Sequence, residues 1–98
     1  MLRIEFNNGD ARGVRVRLEG RLVGSHAEDA RVTLSRQPSP GSLLVDLTEV
    51  TFVDPLGEQV LLWLSRFGAK FVAVNVYTRA VCERLQLQLS EPQGAQSP

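Results

Sequence analysis

The chain has 98 residues, enough for one domain and too few for two independent cores. Hydrophobic residues make up 43% and charged residues 22%, the make-up of an ordinary globular protein. Eleven basic and eleven acidic residues cancel to a formal net charge of zero. Such a chain lacks the long-range positive field that gathers nucleic acid or an anionic membrane, so both are disfavoured as partners.

One cysteine, Cys82, allows no internal disulfide, which fits a reducing compartment. The opening residues lack the apolar run and cleavage site of a signal peptide. No apolar stretch approaches the roughly 20 residues needed to span a bilayer. The expectation is a soluble, cytoplasmic protein with no direct membrane insertion.

Leu2, Ile4 and Phe6 alternate with Arg3 and Glu5, the period-two pattern of a half-buried strand. Residues 7–10, Asn-Asn-Gly-Asp, tolerate turn dihedrals, and alternation resumes with Val14, Val16 and Leu18. An antiparallel pair is expected, with a link longer than a tight hairpin. Ser25 and Glu28 have the spacing of a capping box, which starts a helix over about 25–36 with Ala27, Ala30 and Leu34 facing inward. The prolines in residues 37–41 must end it.

Residues 43–47 are apolar up to and around Asp46, as in a strand covered on both faces in a parallel sheet. Asp54 is a strong N-cap, and Pro55 suits the first position of a helix running to about residue 67, with Gly68 as its stop. A last strand is expected over 70–77, and a short helix capped by Thr78 through about residue 87. Residues 90–98 have no apolar anchor and read as a mobile tail behind a domain of residues 1–89. Leu89 belongs either to a final strand or to that tail. After the first pair, strands alternate with helices at crossover spacing. That predicts an α/β domain with a four-stranded, mostly parallel mixed sheet and helices packed against it.

Residues 42–57 carry more than periodicity. An apolar strand ends in Asp46, a short link containing the aromatic Phe52 leads to a second aspartate, Asp54, and Gly57 follows three residues later. This arrangement resembles the signature of STAS domains (sulfate transporter and anti-sigma factor antagonist domains). Residues 18–22 resemble the end of that family's second strand and residues 66–71 its helix exit into the fourth strand, so the resemblance spans about 12–87. It implies the fold just described and a non-catalytic protein-binding role. In the family's phosphorylatable members a serine or threonine precedes the glycine. A kinase-like anti-sigma factor phosphorylates it, and the new charge breaks the complex. The matching residue here is Leu56, behind Pro55, and neither accepts a phosphate. Thr51 and Ser65 lie too far along the chain to replace it.

On the helix from Pro55, a spacing of roughly 100° per residue groups Leu56, Val60, Trp63, Leu64 and Phe67 as the core stripe, with Leu61 flanking it and Leu62 off it. The family's partners dock around the start of this helix. The resemblance therefore implies an interface at Asp54, Pro55, Leu56, Gly57, Glu58, Leu62 and Trp63. Leu62 also reads as one scattered exposed leucine, and Trp63 suits the core as well as an interface.

The implied partner is a kinase-like anti-sigma regulator or, for an accessory STAS subunit of a membrane transporter complex, the transporter ATPase. A weak homodimer through the apolar rim of this helix is a further expectation. Asp46 and Asp54, if they converge at the sheet edge, offer a different reading, a small-ligand or metal site; the bland reading is an N-cap and a loop-ordering hydrogen bond. No third ligand, phosphate loop or nucleophile accompanies them, and no cofactor or catalytic residue is expected. His26 reads as a solvated surface residue and Cys82 as a small apolar one. Arg12, Arg15, Arg17 and Arg21 read as a solvated sheet face or protected edge, or else as an anion-reading patch.

Overall fold

A computed structural model describes residues 2–10, 13–36 and 43–90. Its strands are β1 (Leu2–Asp10), β2 (Gly13–Leu22), β3 (Leu43–Val53) and β4 (Lys70–Val72), and its helices are α1 (Gly24–Ser35), α2 (Pro55–Arg66) and α3 (Val76–Arg84). The sheet order is β1-β2-β3-β4; β1 pairs antiparallel with β2, and the other two pairings are parallel. The expected mixed α/β sheet is the one observed.

Alternation sorts the sheet's two faces. Val16, Leu18, Leu43, Val45 and Leu47 are buried, and they share one core with Ala27, Ala30 and Leu34 of α1, Val60, Leu61 and Leu64 of α2, and Val81 and Cys82 of α3. The other face carries ion pairs: Arg3 with Glu5 at 2.8 Å, Arg17 with Glu19 at 2.9 Å, and Arg15 with Asp46 at 3.6 Å. Arg15 and Arg17 thus face carboxylates on the neighbouring strands, Asp46 and Glu5, as on a solvated sheet face, while Arg21 lies over the Phe52 ring; Arg12 lies outside the described residues. β3 is accordingly buried on one face only, with Leu44 and Asp46 half-exposed on the other.

Several boundaries move. β1 continues through the expected turn to Asp10, which pairs with Gly13, so the link is shorter than expected. A register irregularity between Asn7 and Asp10 absorbs residues whose backbone freedom suits a bulge as well as a turn. β3 runs past its acidic residue to Val53, because residues 49–53 keep pairing with β2 after a register shift. β4 stops at Val72, since Asn75 already caps the next helix.

The capping box is absent. Val23 holds the cap position of α1 without a side-chain bond, Ser25 lies within the first turn, and Glu28 instead pairs with Arg31. Residues 37–41, expected to end α1, lie outside the described residues; the helix is complete by Ser35. Asn75, not Thr78, caps α3, which ends at Arg84. Leu89 forms a single parallel bridge with Phe71. Ser90 donates its amide to the Phe71 carbonyl at 2.7 Å, and residues 91–98 of the expected tail lie outside the described residues.

Candidate functional site

The site is built around the junction where β3 becomes α2. Asp54 stands in extended backbone, and one carboxylate oxygen, Oδ1, accepts the Gly57 amide at 2.8 Å. The other, Oδ2, accepts the Gly24 amide at 3.0 Å. One side chain therefore caps α2 and ties down the start of α1, which has no cap of its own. Its backbone carbonyl takes the Glu58 amide at 2.9 Å, and its own amide bonds the Leu22 carbonyl at 3.3 Å. With Pro55 lacking a donor, nearly every amide at this helix start is used or absent.

Gly57 sets how closely α2 lies on the sheet. A Cβ there would collide with the Leu22 carbonyl oxygen and stand 2.9 Å from Val53 Cγ1. The close approach turns Gly57, Val60, Leu61 and Leu64 inward. Relative to the stripe expected from spacing, the buried face is rotated by roughly 70°. This corrects two expectations. Leu56 and Phe67 are 52% and 49% exposed, not core residues, and Leu61 is fully buried, not flanking. Leu62 is exposed, as its position off the stripe implies. Trp63 is half-buried: it packs on the core's edge and meets Phe67 edge-to-face at 5.2 Å between ring centroids.

Of the residues assigned to the interface, Pro55, Leu56 and Leu62 are exposed on α2. Trp63 lines a groove of about 460 Å³ between α1 and α2, together with Leu56 and Leu62. Gly57 is buried and shapes the surface from beneath. Asp54 is half-buried and engaged with two amides. Glu58 accepts a hydrogen bond from Arg84 at 2.6 Å, which joins α2 to α3 and holds the Glu58 carboxyl below its ordinary range.

A second exposed cluster, which periodicity does not single out, gathers at the end of β3. Phe52 is stacked on Tyr77 at 6.4 Å, and the Arg21 guanidinium lies 5.8 Å from the Phe52 centroid. The Tyr77 hydroxyl accepts the Val53 amide at 2.8 Å. Asn75 is likewise structural: its Oδ1 accepts the Thr78 amide at 2.8 Å, and its Nδ2 donates to the Thr48 carbonyl at 3.0 Å. The spacing of Asn75 three residues before Thr78 is the signal that would have identified it as the cap.

Asp46 and Asp54 do not converge. Asp46 lies within β3, eight residues before Asp54, a separation of roughly 25 Å along an extended strand. The Asp46 carboxylate accepts the Thr48 amide at 2.9 Å and faces Arg15, so it orders its own strand. The ligand or metal site that needed both carboxylates is not formed. Among the described residues no group of three or more His, Cys, Asp or Glu side chains could hold a metal ion. His26 is half-buried in the first turn of α1, and burial pushes the Cys82 thiol up to about 11. No helix among the described residues is long and apolar enough to cross a membrane.

Against known proteins, no protein-family model matches the sequence, and no curated protein does. Solved structures do match. The anti-sigma factor antagonist SpoIIAA, in its unphosphorylated form, aligns with a TM-score of 0.70 at 16% identity, over 93% of this chain and 90% of that one. The protein Mglu aligns with a TM-score of 0.52 at 18% identity, over 74% of this chain and 19% of that one. At such identities the likeness is one of fold: this chain has the fold seen in SpoIIAA.

Proposed function

We propose that this chain is a non-catalytic protein-binding regulator of the anti-sigma factor antagonist type, docking a partner on the start and outer face of α2. The observation that carries the reading is the exposure of Leu56, Leu62 and Phe67 beside a half-buried Trp63 on α2. Apolar side chains grouped on one helix face, next to a groove, form a surface for another protein.

The usual release mechanism is absent from this reading. Leu56 occupies the position where phosphorylatable members carry a hydroxyl, and the Asp54 carboxylate already takes the Gly57 amide at the helix start that would receive a phosphate. A second anion beside that carboxylate would also be repelled. Binding here is therefore constitutive with respect to phosphorylation at this site, and control lies in the abundance or state of the partner.

The test is affinity capture of the tagged chain from its own cell extract, alongside Leu56→Asp and Leu62→Asp variants checked for folding by circular dichroism. The expected result is a kinase-like regulator recovered with the wild type and lost with both variants. Recovery of a transporter ATPase would transfer the role to an accessory transporter subunit. A partner retained equally by both variants would remove α2 from the interface.

A further inference from the structure

The groove between α1 and α2 has one wall from each helix, and the two walls differ. On the α2 side stand Leu56, Leu62 and Trp63, with Val60 at the floor. On the α1 side Glu28 and Arg31 satisfy each other through two hydrogen bonds, leaving that wall polar and electrically balanced. The mouth is open at Gly24, where a Cβ would meet no atom within 4 Å.

Two groups in the groove have no partner among the described residues. Arg66, in the last turn of α2, makes no ion pair, and the Trp63 indole N–H makes no hydrogen bond. Taken together, the groove presents apolar area, one uncompensated positive charge and one free ring donor. From this charge and polarity we infer that its occupant is an amphipathic helical segment of a partner protein that seats an apolar side chain against Trp63 and a carboxylate on Arg66. The inference rests on the protein-binding reading and names the partner's chemistry.

Three features favour that occupant. A groove walled by two helices accepts a third through the same ridge-and-groove packing that joins the first two. The apolar surface runs beyond the groove to Phe67, more than a small ligand would cover. A carboxylate matches the single free guanidinium of the groove in charge and geometry, since Arg31 is already paired with Glu28.

Trp63 is the only tryptophan in the chain, so its emission reports directly on the groove. The experiment pans a library of helix-forming peptides, randomised at apolar and charged positions, against the full-length chain and then titrates the synthetic consensus peptide. The expected consensus has apolar residues at i, i+3 or i+4, and i+7 with a neighbouring Asp or Glu, and its binding shifts the Trp63 emission to the blue. Arg66→Glu weakens it on the order of tenfold, and a Lys-for-acid peptide recovers binding to that variant.

A consensus without an acidic residue, or affinity unchanged by Arg66→Glu, overturns the inference. Peptides that bind without moving Trp63 emission overturn it too, while leaving the protein-binding reading intact. A concentration-dependent shift of the protein alone would assign the groove to a second copy and overturn it as well. If no peptide enriches and no cellular partner depends on Leu62, the reading beneath it falls with it.

Discussion

Asp54 and Asn75 do the same local work and differ in their distant work. Each caps a helix by accepting the amide three residues on, at 2.8 Å in both cases. Each then uses its second polar atom on another part of the chain. The distant group for Asp54 is the Gly24 amide, a donor, and Asp54 offers a second acceptor. The distant group for Asn75 is the Thr48 carbonyl, an acceptor, and Asn75 offers a donor. Local capping alone tolerates either residue; the remote partner selects between them. It also explains why the start of α2 is the more crowded of the two, since it anchors α1 as well.

The strongest way to break this comparison is to force α2 off the sheet. In Gly57→Ala the new methyl meets the Leu22 carbonyl, which is backbone and cannot swing aside, and also Val53. The first turn must lift, separating Asp54 from Gly24 while leaving the Asn75 cap untouched. We expect a loss of about 3 kcal/mol in urea denaturation. A variant as stable as the wild type would mean that the close approach does not hold this junction.

Exchanging the two caps tests the remote partners themselves. Asp54→Asn keeps size and shape but leaves one amide, at Gly57 or at Gly24, facing an NH2 group. The expected cost is about 2 kcal/mol. Asn75→Asp sets a carboxylate oxygen against the Thr48 carbonyl. Its cost is smaller, about 1 kcal/mol, because a negative charge at a helix start offsets part of the repulsion. Denaturation midpoints for both variants settle the point: if the two exchanges prove neutral, the caps act only on their own helices.

The contrast also marks what could be read from the chain. Asp54, Pro55 and the stop at Gly68 placed α2 almost to the residue, because helix ends depend on neighbours in sequence. The inward faces of β2 and of α1 followed from period and were found as expected, whereas on β1 Leu2 and Ile4 are partly buried and Phe6 is exposed. Three things depended on contacts across the fold. Ser25 and Glu28 have the spacing of a capping box, yet the remote Asp54 serves the start of α1 and the box does not form. The rotation of α2 came from Gly57, whose missing side chain has no weight in a hydrophobic pattern but lets the backbone approach the sheet. Asp46 and Asp54 could meet only across a folded link; residues 49–53 instead pair with β2, and the strand itself holds the carboxylates apart.

The smallest effect concerns the ion pair that joins the two capped helices. Arg84, at the end of α3, hydrogen-bonds Glu58 in the first turn of α2 and holds its carboxyl below the ordinary range. A lowered pKa in the folded state contributes stability above the ordinary carboxylate range, and that contribution is lost as pH falls through the lowered value. Arg84→Ala should therefore be slightly less stable than the wild type at neutral pH and equal to it in strong acid. The pair is solvent-accessible, so the neutral-pH difference should be small and should shrink with added salt. A difference that survives in acid would have to come from packing of the Arg84 stem against α2, in which case the two helices are joined by apolar contact and not by charge.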